Sequence, residues 1–223
     1  MANFNTRFDD PYFAREGGDG ESEWVFFRGN RLDTRLFPGG PAIGETGFGT
    51  GLNLLTAARL LARRGDVPAF RYRSVERYPL PPQDISLILS TLQHPEKEDL
   101  EGYLRRYAPF FEDLKPGWNG AAWTLYGVKA EVNLFLGDVE AALADWGEVT
   151  DAWFFDGHDP EKNPRMWSDA VFRGAAAWSR SGTTLATYTA RGSVKEGLRR
   201  AGFSIKREKG YKLKRHMITG VLP

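Results

Sequence analysis

Ala42-Ile43-Gly44-Glu45-Thr46-Gly47-Phe48-Gly49-Thr50-Gly51, running into Leu52 to Arg63 with apolar residues at helical spacing, decides the fold. A short strand ends on an acid, three alternating glycines follow, and a helix begins, which is the opening of a βαβ unit. Alternating glycines let the backbone turn sharply and approach a ligand at the carboxyl edge of a sheet, beside a helix N-terminus. A nucleotide-like ligand is the expected occupant, and a plain structural turn is the alternative. The dinucleotide fingerprint needs two residues between its second and third glycines, and a P-loop needs a lysine after the loop. Neither is present here.

Outward from the loop, Phe70 to Glu76 reads as a second strand that also ends on an acid. Pro79, Pro81 and Pro82 then break the chain, and Asp84–Leu92 and Lys97–Tyr107 read as two helices of an insertion or lid over residues 79–118. Ala121–Tyr126 and Ala130–Leu136 alternate around Gly127 as a hairpin. A helix is predicted from Asp138 through Asp145, a buried strand over Asp151–Asp156, a helix near Ser168–Trp178 and a strand over Thr183–Tyr188. A helix over Ser193–Ala201 and strands near Phe203–Lys206 and His216–Val221 close the chain. Five βα steps and a terminal hairpin predict an α/β class over residues 41–223: a Rossmann-like, doubly wound sheet with one terminal antiparallel strand. Two turn-like clusters, Glu16–Gly20 and Pro38–Pro41, bracket Trp24–Leu32, which reads as a short β-hairpin within an N-terminal extension over residues 1–40.

The 223 residues, 41% hydrophobic and 26% charged, fit one folded domain with a small extension. Cysteine is absent, which excludes disulfides, thiol nucleophiles and cysteine-ligated metal. Three histidines, His94, His158 and His216, lie at no metal-ligand spacing, so no metal is expected. No apolar run approaches a membrane span, and a cytoplasmic protein with no membrane partner is the default expectation. The net charge is only +1, yet Arg191 to Met217 holds ten Lys/Arg against Glu196 and Glu208. Such a basic segment suits a polyanion, although a solvated charged face is the plain reading of any lysine run.

Acids close the strands of this pattern. Glu76, about 25 residues beyond the loop, stands where a ribose-binding acid is expected, or pairs with Arg73 or Arg77. Asp138 is placed to accept from an adenine amino group, to cap the following helix, or both. Asp156 ends the strand predicted to lie opposite the glycine loop. The alternating loop led by Glu45 resembles the first motif of class I S-adenosylmethionine-dependent methyltransferases. Asp156-Gly157-His158-Asp159-Pro160-Glu161-Lys162-Asn163-Pro164-Arg165-Met166-Trp167 narrows the likeness, together with Phe8–Phe13, Val25–Leu32, Glu45–Gly51 and Lys209-Gly210-Tyr211 with Lys214-Arg215 and Met217. Over nearly the whole chain the sequence resembles the MnmC/MnmD family of tRNA 5-methylaminomethyl-2-thiouridine methyltransferases. The family pattern, Asp-Gly-Phe, a small residue, then Pro-x-x-Asn-Pro-x-x-Trp, is matched at Asp156, Gly157, Pro160, Asn163, Pro164 and Trp167 and departed from at His158 and Asp159.

The resemblance implies an enzyme that transfers a methyl group from S-adenosyl-L-methionine to the amine of 5-aminomethyl(-2-thio)uridine at the tRNA wobble position. It implies cofactor contacts at Glu45, Thr46, Gly47, Phe48, Gly49, Gly51, Asn53, Glu76, Asp138 and Asp156, with Asp156 also orienting the amine. It implies substrate or RNA contacts at Tyr12, Asn30, His158, Pro160, Lys162, Asn163, Trp167, Lys209, Lys212, Lys214 and Arg215. His158 is an alternative proton acceptor, against a plainer role as a surface or stacking histidine. Phe13 and Tyr188 are further stacking candidates beside Tyr12 and Trp167. The expected partner is the tRNA anticodon loop, with a separate FAD-dependent oxidase or a wobble-uridine modification complex acting upstream, since the chain ends at Pro223 as in the stand-alone form. A methyltransferase acting on another amine, an aminopropyl transferase, a nicotinamide dehydrogenase and a non-catalytic RNA-binding module are the competing readings.

Overall fold

The structure is a computed structural model, and residues 3–13 and 17–223 are described. Met1, Ala2 and Glu16, where the first expected turn cluster begins, lie outside the described residues. The predicted first unit is present: β1 (Ala42–Glu45), α2 (Leu52–Arg64) and β2 (Ala69–Glu76), with β1 and β2 parallel. After β2 come α3 (Pro82–Leu89) and α4 (Lys97–Glu112), then the antiparallel pair β3 (Gly117–Leu125) and β4 (Val128–Leu136). Tyr126 and Gly127 join the pair, and both have positive φ, 51° and 81°, as a two-residue hairpin turn demands. The remaining elements are α5 (Val139–Ala144), β5 (Thr150–Phe154), α6 (Asp169–Ala177), β6 (Ser179–Thr187), α7 (Gly192–Arg200), β7 (Ser204–Lys209) and β8 (His216–Val221).

Eight strands form one sheet in the order β3-β4-β2-β1-β5-β6-β8-β7. The expected reversed strand near the C-terminus is β8, antiparallel to both β6 and β7. A second reversed strand, β3, is the first arm of the expected hairpin around Gly127 and extends the opposite edge of the sheet beyond β4. The chain steps outward from β1 to β2 on one side and returns to β5 on the other, so the switch point opens above the carboxyl ends of β1 and β5.

Burial on both faces explains the apolar run in β5. Ala152 and Phe154 enter one core with Ile43, Leu54 and Tyr72, while Trp153 and the following Phe155 enter the other with Trp146, Phe172 and Leu185. The α4 helix contributes Tyr103 and Tyr107 to the first core; their hydroxyls donate to Thr50 O at 3.1 Å and Leu80 O at 2.9 Å.

The expected N-terminal hairpin is not formed. A short α1 (Gly18–Glu21) runs directly into a π-helical turn at Ser22–Arg28. Val25, Phe26 and Phe27 are all buried while Trp24 and Arg28 are exposed, a four-residue spacing that belongs to a helix face and not to a strand. Phe26 packs on Phe154 with ring centroids 5.5 Å apart. Gly29 ends the turn where an added Cβ would lie 2.0 Å from Val25 O and 2.9 Å from Ala186 Cβ. Asn30, expected at the substrate, is instead completely buried, and its amide nitrogen donates to Phe26 O at 3.0 Å and Trp153 O at 3.1 Å. It fastens the N-terminal helix to the central strand. Asn30→Ala is therefore expected to lower unfolding free energy by about 2 kcal/mol, measured by denaturant titration, by removing a buried donor from two carbonyls.

Candidate active site

The carboxyl edge of the sheet holds a cavity of about 780 Å³. Its lining includes Thr46 to Thr50 and Asn53 of the loop and α2, Glu76, Asp138, Asp156 and Tyr188 at four strand ends, and Asn5, Phe8, Asp10 and Tyr12 with Glu21 and Ser22 from the N-terminal segment.

The glycine loop is held by its neighbours. Thr46 N donates to Phe154 O at 3.1 Å, Phe48 N to Val75 O at 2.9 Å, and Gly49 N to Glu76 Oε2 at 2.9 Å. At Gly47 a Cβ would meet Asp156 O at 3.0 Å, whereas at Gly49, with φ 53°, it would find only Tyr12 Cδ1 at 3.7 Å. The backbone therefore faces open cavity at Gly49. Gly51 lies outside the cavity lining; it makes the turn into α2 at φ 76°, where a Cβ would stand 2.3 Å from Tyr103 Oη.

The four strand-end acids divide. Glu76 uses one oxygen for Gly49 N and the other for Tyr78 N at 2.8 Å, and burial pushes its carboxyl upward against those two bonds. Each oxygen keeps a lone pair for a ligand. Asp138 caps α5 by accepting from Glu140 N at 3.1 Å, and pairs with Arg77 at 3.4 Å and Arg165 at 3.0 Å. Asp156 follows β5; its oxygens accept from Gly157 N at 2.8 Å and Asn53 Nδ2 at 2.7 Å. Burial pushes its carboxyl up to about 7, Glu21 adding to the rise and the bonds from Gly157 and Asn53 opposing it. Glu45, expected at the cofactor, does not line the cavity: it is wholly buried behind the loop, accepting from Asn53 Nδ2 at 2.8 Å and Ser74 Oγ at 2.6 Å. Burial, reinforced by the charge of Asp156, pushes it up to about 8. It positions Asn53.

The loop after β5 is locked to the N-terminal segment. His158 stacks on Phe8 at 4.7 Å, receives a hydrogen bond from Asn5 Nδ2 at Nε2 (2.9 Å), and turns Nδ1 to Asp10 at 3.4 Å. Both ring nitrogens are engaged and burial lowers its pKa, so the neutral imidazole is a clasp and the proton-acceptor alternative is not supported by this geometry. Asp10 also accepts from Asp159 N at 3.0 Å and faces Lys162 at 3.5 Å. Trp167 is buried below, its Nε1 donating to His158 O at 2.9 Å and its ring edge-on to Tyr188 at 6.0 Å. Trp167, Pro160 and Lys162 stand outside the cavity lining and shape the loop from behind, while Asn163 lines it. Asp159 pairs with Arg191 at 3.0 Å.

Of the basic segment, Lys214 and Arg215 reach the cavity, whereas Lys209 and Lys212 do not. The sequence reading missed Phe8, Asp10, Glu21 and Ser22. Phe8 and Asp10 lie within Phe8–Phe13, the stretch quoted for the family likeness, so that part was within reach.

A family model described as S-adenosyl-L-methionine-dependent methyltransferase matches residues 109–223. The chain belongs to this family. It is 40% identical over 225 residues to the tRNA 5-methylaminomethyl-2-thiouridine biosynthesis bifunctional protein MnmC of Nitrosospira multiformis, covering 99% of this chain and 35% of that protein. The Chromobacterium violaceum protein of the same name is 39% identical over 218 residues, covering 96% and 32%. The chain thus spans about a third of the length of these relatives. MNMC2 from Aquifex aeolicus shares the fold, with a TM-score of 0.75 at 21% identity, over 98% of this chain and 66% of that one. Among the described residues no helix is long and apolar enough to cross a membrane, and no cluster of metal-ligating side chains occurs.

The raised Glu45 fixes a pH dependence. Between its ordinary value of 4.5 and about 8 the folded state holds a proton that the unfolded state has released, so its stabilising contribution is complete below that window and is lost as pH rises through it. Wild type is expected to lose stability relative to Glu45→Gln from pH 5 to 8, by at most about 1.4 kcal/mol per pH unit, in parallel denaturant titrations.

Proposed function

We propose that this methyltransferase methylates the primary amine of 5-aminomethyl(-2-thio)uridine at the wobble position of tRNA. The observation that carries the reading is Asp156: a half-buried carboxyl fixed by Asn53 and Gly157 beside an open glycine backbone and Glu76, and pushed up to about 7 chiefly by desolvation. The 36–40% identity to MnmC proteins supports the substrate.

The residues present fit S-adenosyl-L-methionine. Glu76 offers two oxygens to a vicinal diol, the open backbone at Gly49 permits close approach, and Thr46, Gly47, Phe48 and Asn53 form the adjoining wall. Asp138 offers an acceptor at the adenine end. When bound, S-adenosyl-L-methionine supplies an electrophilic methyl group on a sulfonium. Asp156 accepts one N–H of the incoming amine, which aligns its lone pair, and takes the proton that the nitrogen sheds on methylation. A carboxyl near 7 is suited to this, since an ordinary aspartate is too weak a base. Tyr12, raised to about 12 chiefly by burial, stays a neutral ring against which a base can stack.

The anticodon loop would be held along the edge strand β7, where Lys206, Arg207 and Lys209 are exposed, with Arg215 at the rim and Lys212 in the adjoining loop. The amine itself comes from an upstream FAD-dependent oxidase or a wobble-uridine modification complex.

The test is transfer of labelled methyl to tRNA from cells lacking the modification, followed by nucleoside analysis. Label in 5-methylaminomethyl-(2-thio)uridine is the expected result; cofactor binding with no label in tRNA would turn the search to other amines. Asp156→Ala should lower kcat by 10²- to 10³-fold, to an order of magnitude, with cofactor affinity within a few-fold. Replacing Lys206, Arg207 and Lys209 together by Gln should weaken tRNA binding and flatten its dependence on salt, read from Kd at several ionic strengths.

A further inference from the structure

Ser22 opens the π-helical turn and lines the cavity with Asn53 and Asp156, although it is only 4% exposed, and the chemistry above does not use it. Its place is fixed from behind. Val25, Phe26 and Phe27 of the same turn are buried, Phe26 lies against Phe154 of β5, and Asn30 fastens the segment to Trp153 O. The Ser22 hydroxyl donates to Asn53 Oδ1 at 2.5 Å. The two hydrogens on Asn53 Nδ2 go to Glu45 Oε1 at 2.8 Å and to Asp156 Oδ2 at 2.7 Å. One amide thus connects the N-terminal segment, 31 residues earlier in the chain, to the acid that follows β5.

A carboxamide is planar, so a donor fixed on its oxygen sets the direction of both N–H bonds. A hydrogen bond accepted at that oxygen also polarises the group and strengthens the bonds its nitrogen donates. An N–H donated to a carboxyl favours the charged form over the protonated one. We infer that Ser22 is a positioning residue of the methyl transfer: by holding Asn53 Oδ1 it keeps an N–H aimed at Asp156 Oδ2, and so keeps Asp156 oriented and charged to receive the amine. The inference rests on the reading given under Proposed function. The N-terminal turn on this account supplies part of the alignment and not only a wall of the cavity.

The experiment compares wild type with Ser22→Ala, Ser22→Cys and Ser22→Thr. Profiles of kcat and KM against pH are measured on aminomethyluridine tRNA, with cofactor affinity in parallel. Ser22→Ala should lower the plateau of kcat about tenfold, with KM and cofactor affinity within about twofold of wild type. It should also move the acid limb of the kcat profile upward by about half a pH unit, because the charged form of Asp156 loses support. The ionisable groups that interact electrostatically with Asp156 are Glu45 on β1, Tyr72 on β2, Glu21 on α1, Tyr188 after β6 and Lys214 in the β7–β8 loop, and all are the same in the four proteins. Ser22→Thr keeps the hydroxyl and should restore both the plateau and the limb, while Ser22→Cys, of similar size with a weaker donor, should lie between Ala and Ser. An active Ser22→Ala or Ser22→Cys protein whose plateau and limb match wild type overturns the inference and leaves the proposed function standing. So does a fall in kcat that comes with an equal loss of cofactor affinity, an unmoved limb and no recovery in Ser22→Thr, which is what a merely structural tie would give. Wild type that binds cofactor and transfers no methyl to aminomethyluridine tRNA overturns both.

Discussion

One carboxamide holds the site together. Asn53 Nδ2 donates to Glu45 at 2.8 Å and to Asp156 at 2.7 Å, and Oδ1 accepts from Ser22 at 2.5 Å. Glu45 ends β1 and Asp156 follows the adjacent parallel β5, close enough that the charge of Asp156 raises the cost of ionising Glu45. Only a primary amide offers two hydrogens in one plane with an acceptor opposite them, so no hydroxyl or carboxyl at position 53 can replace all three bonds. Its place in the first turn of α2, directly after the glycine loop, also sets both acids near the positive end of a helix. The loop, the β5 acid and the N-terminal helix thus share one fixed point.

Around that point the N-terminal segment acts as part of the site and not as an appendage. Phe8, Asn5 and Asp10 clasp His158, and Arg7 lies over Tyr78 at 4.0 Å, which places residues of the chain start against loops after β2 and β5. The departure of His158 from the aromatic of the family pattern is intelligible in these terms. An imidazole keeps the flat ring that stacks on Phe8 and adds two polar contacts to the clasp, Asn5 at one nitrogen and Asp10 at the other. Asp159 likewise has partners, pairing with Arg191 and accepting from Glu161 N, while it also lines the cavity.

The βα pattern and the strand-end acids were legible because glycine alternation and the acid that ends an apolar strand are local signals. What followed from side-chain direction was not. Glu45 closes its strand as Glu76 does, yet one points behind the loop to Ser74 and the other toward the cavity; that difference depends on register with the neighbouring strand, which no spacing in a single segment reveals. The π-helical turn failed for a related reason. Trp24-Val25-Phe26-Phe27 has neither clean alternation nor a full helical repeat, and its conformation is set by the α2 and β5 surfaces it covers. Asn30 reads as a turn residue, and its burial follows only from that packing.

The basic C-terminal segment shows how a linear charge excess is partitioned by folding. Arg191 pairs with Asp159 and Glu161, Arg200 with Asp169, and Lys214 with Glu21, so several of its cations meet acids supplied by distant elements. Those pairs join α7 and the β7–β8 loop to the rest of the domain. The exposed Lys206, Arg207 and Lys209 on β7 remain as a row at the edge of the sheet, where an unpaired strand edge would otherwise invite another strand. One stretch of sequence therefore does two things. Its paired cations tie the C-terminal elements to distant acids, and its edge keeps the sheet from extending while leaving cations exposed.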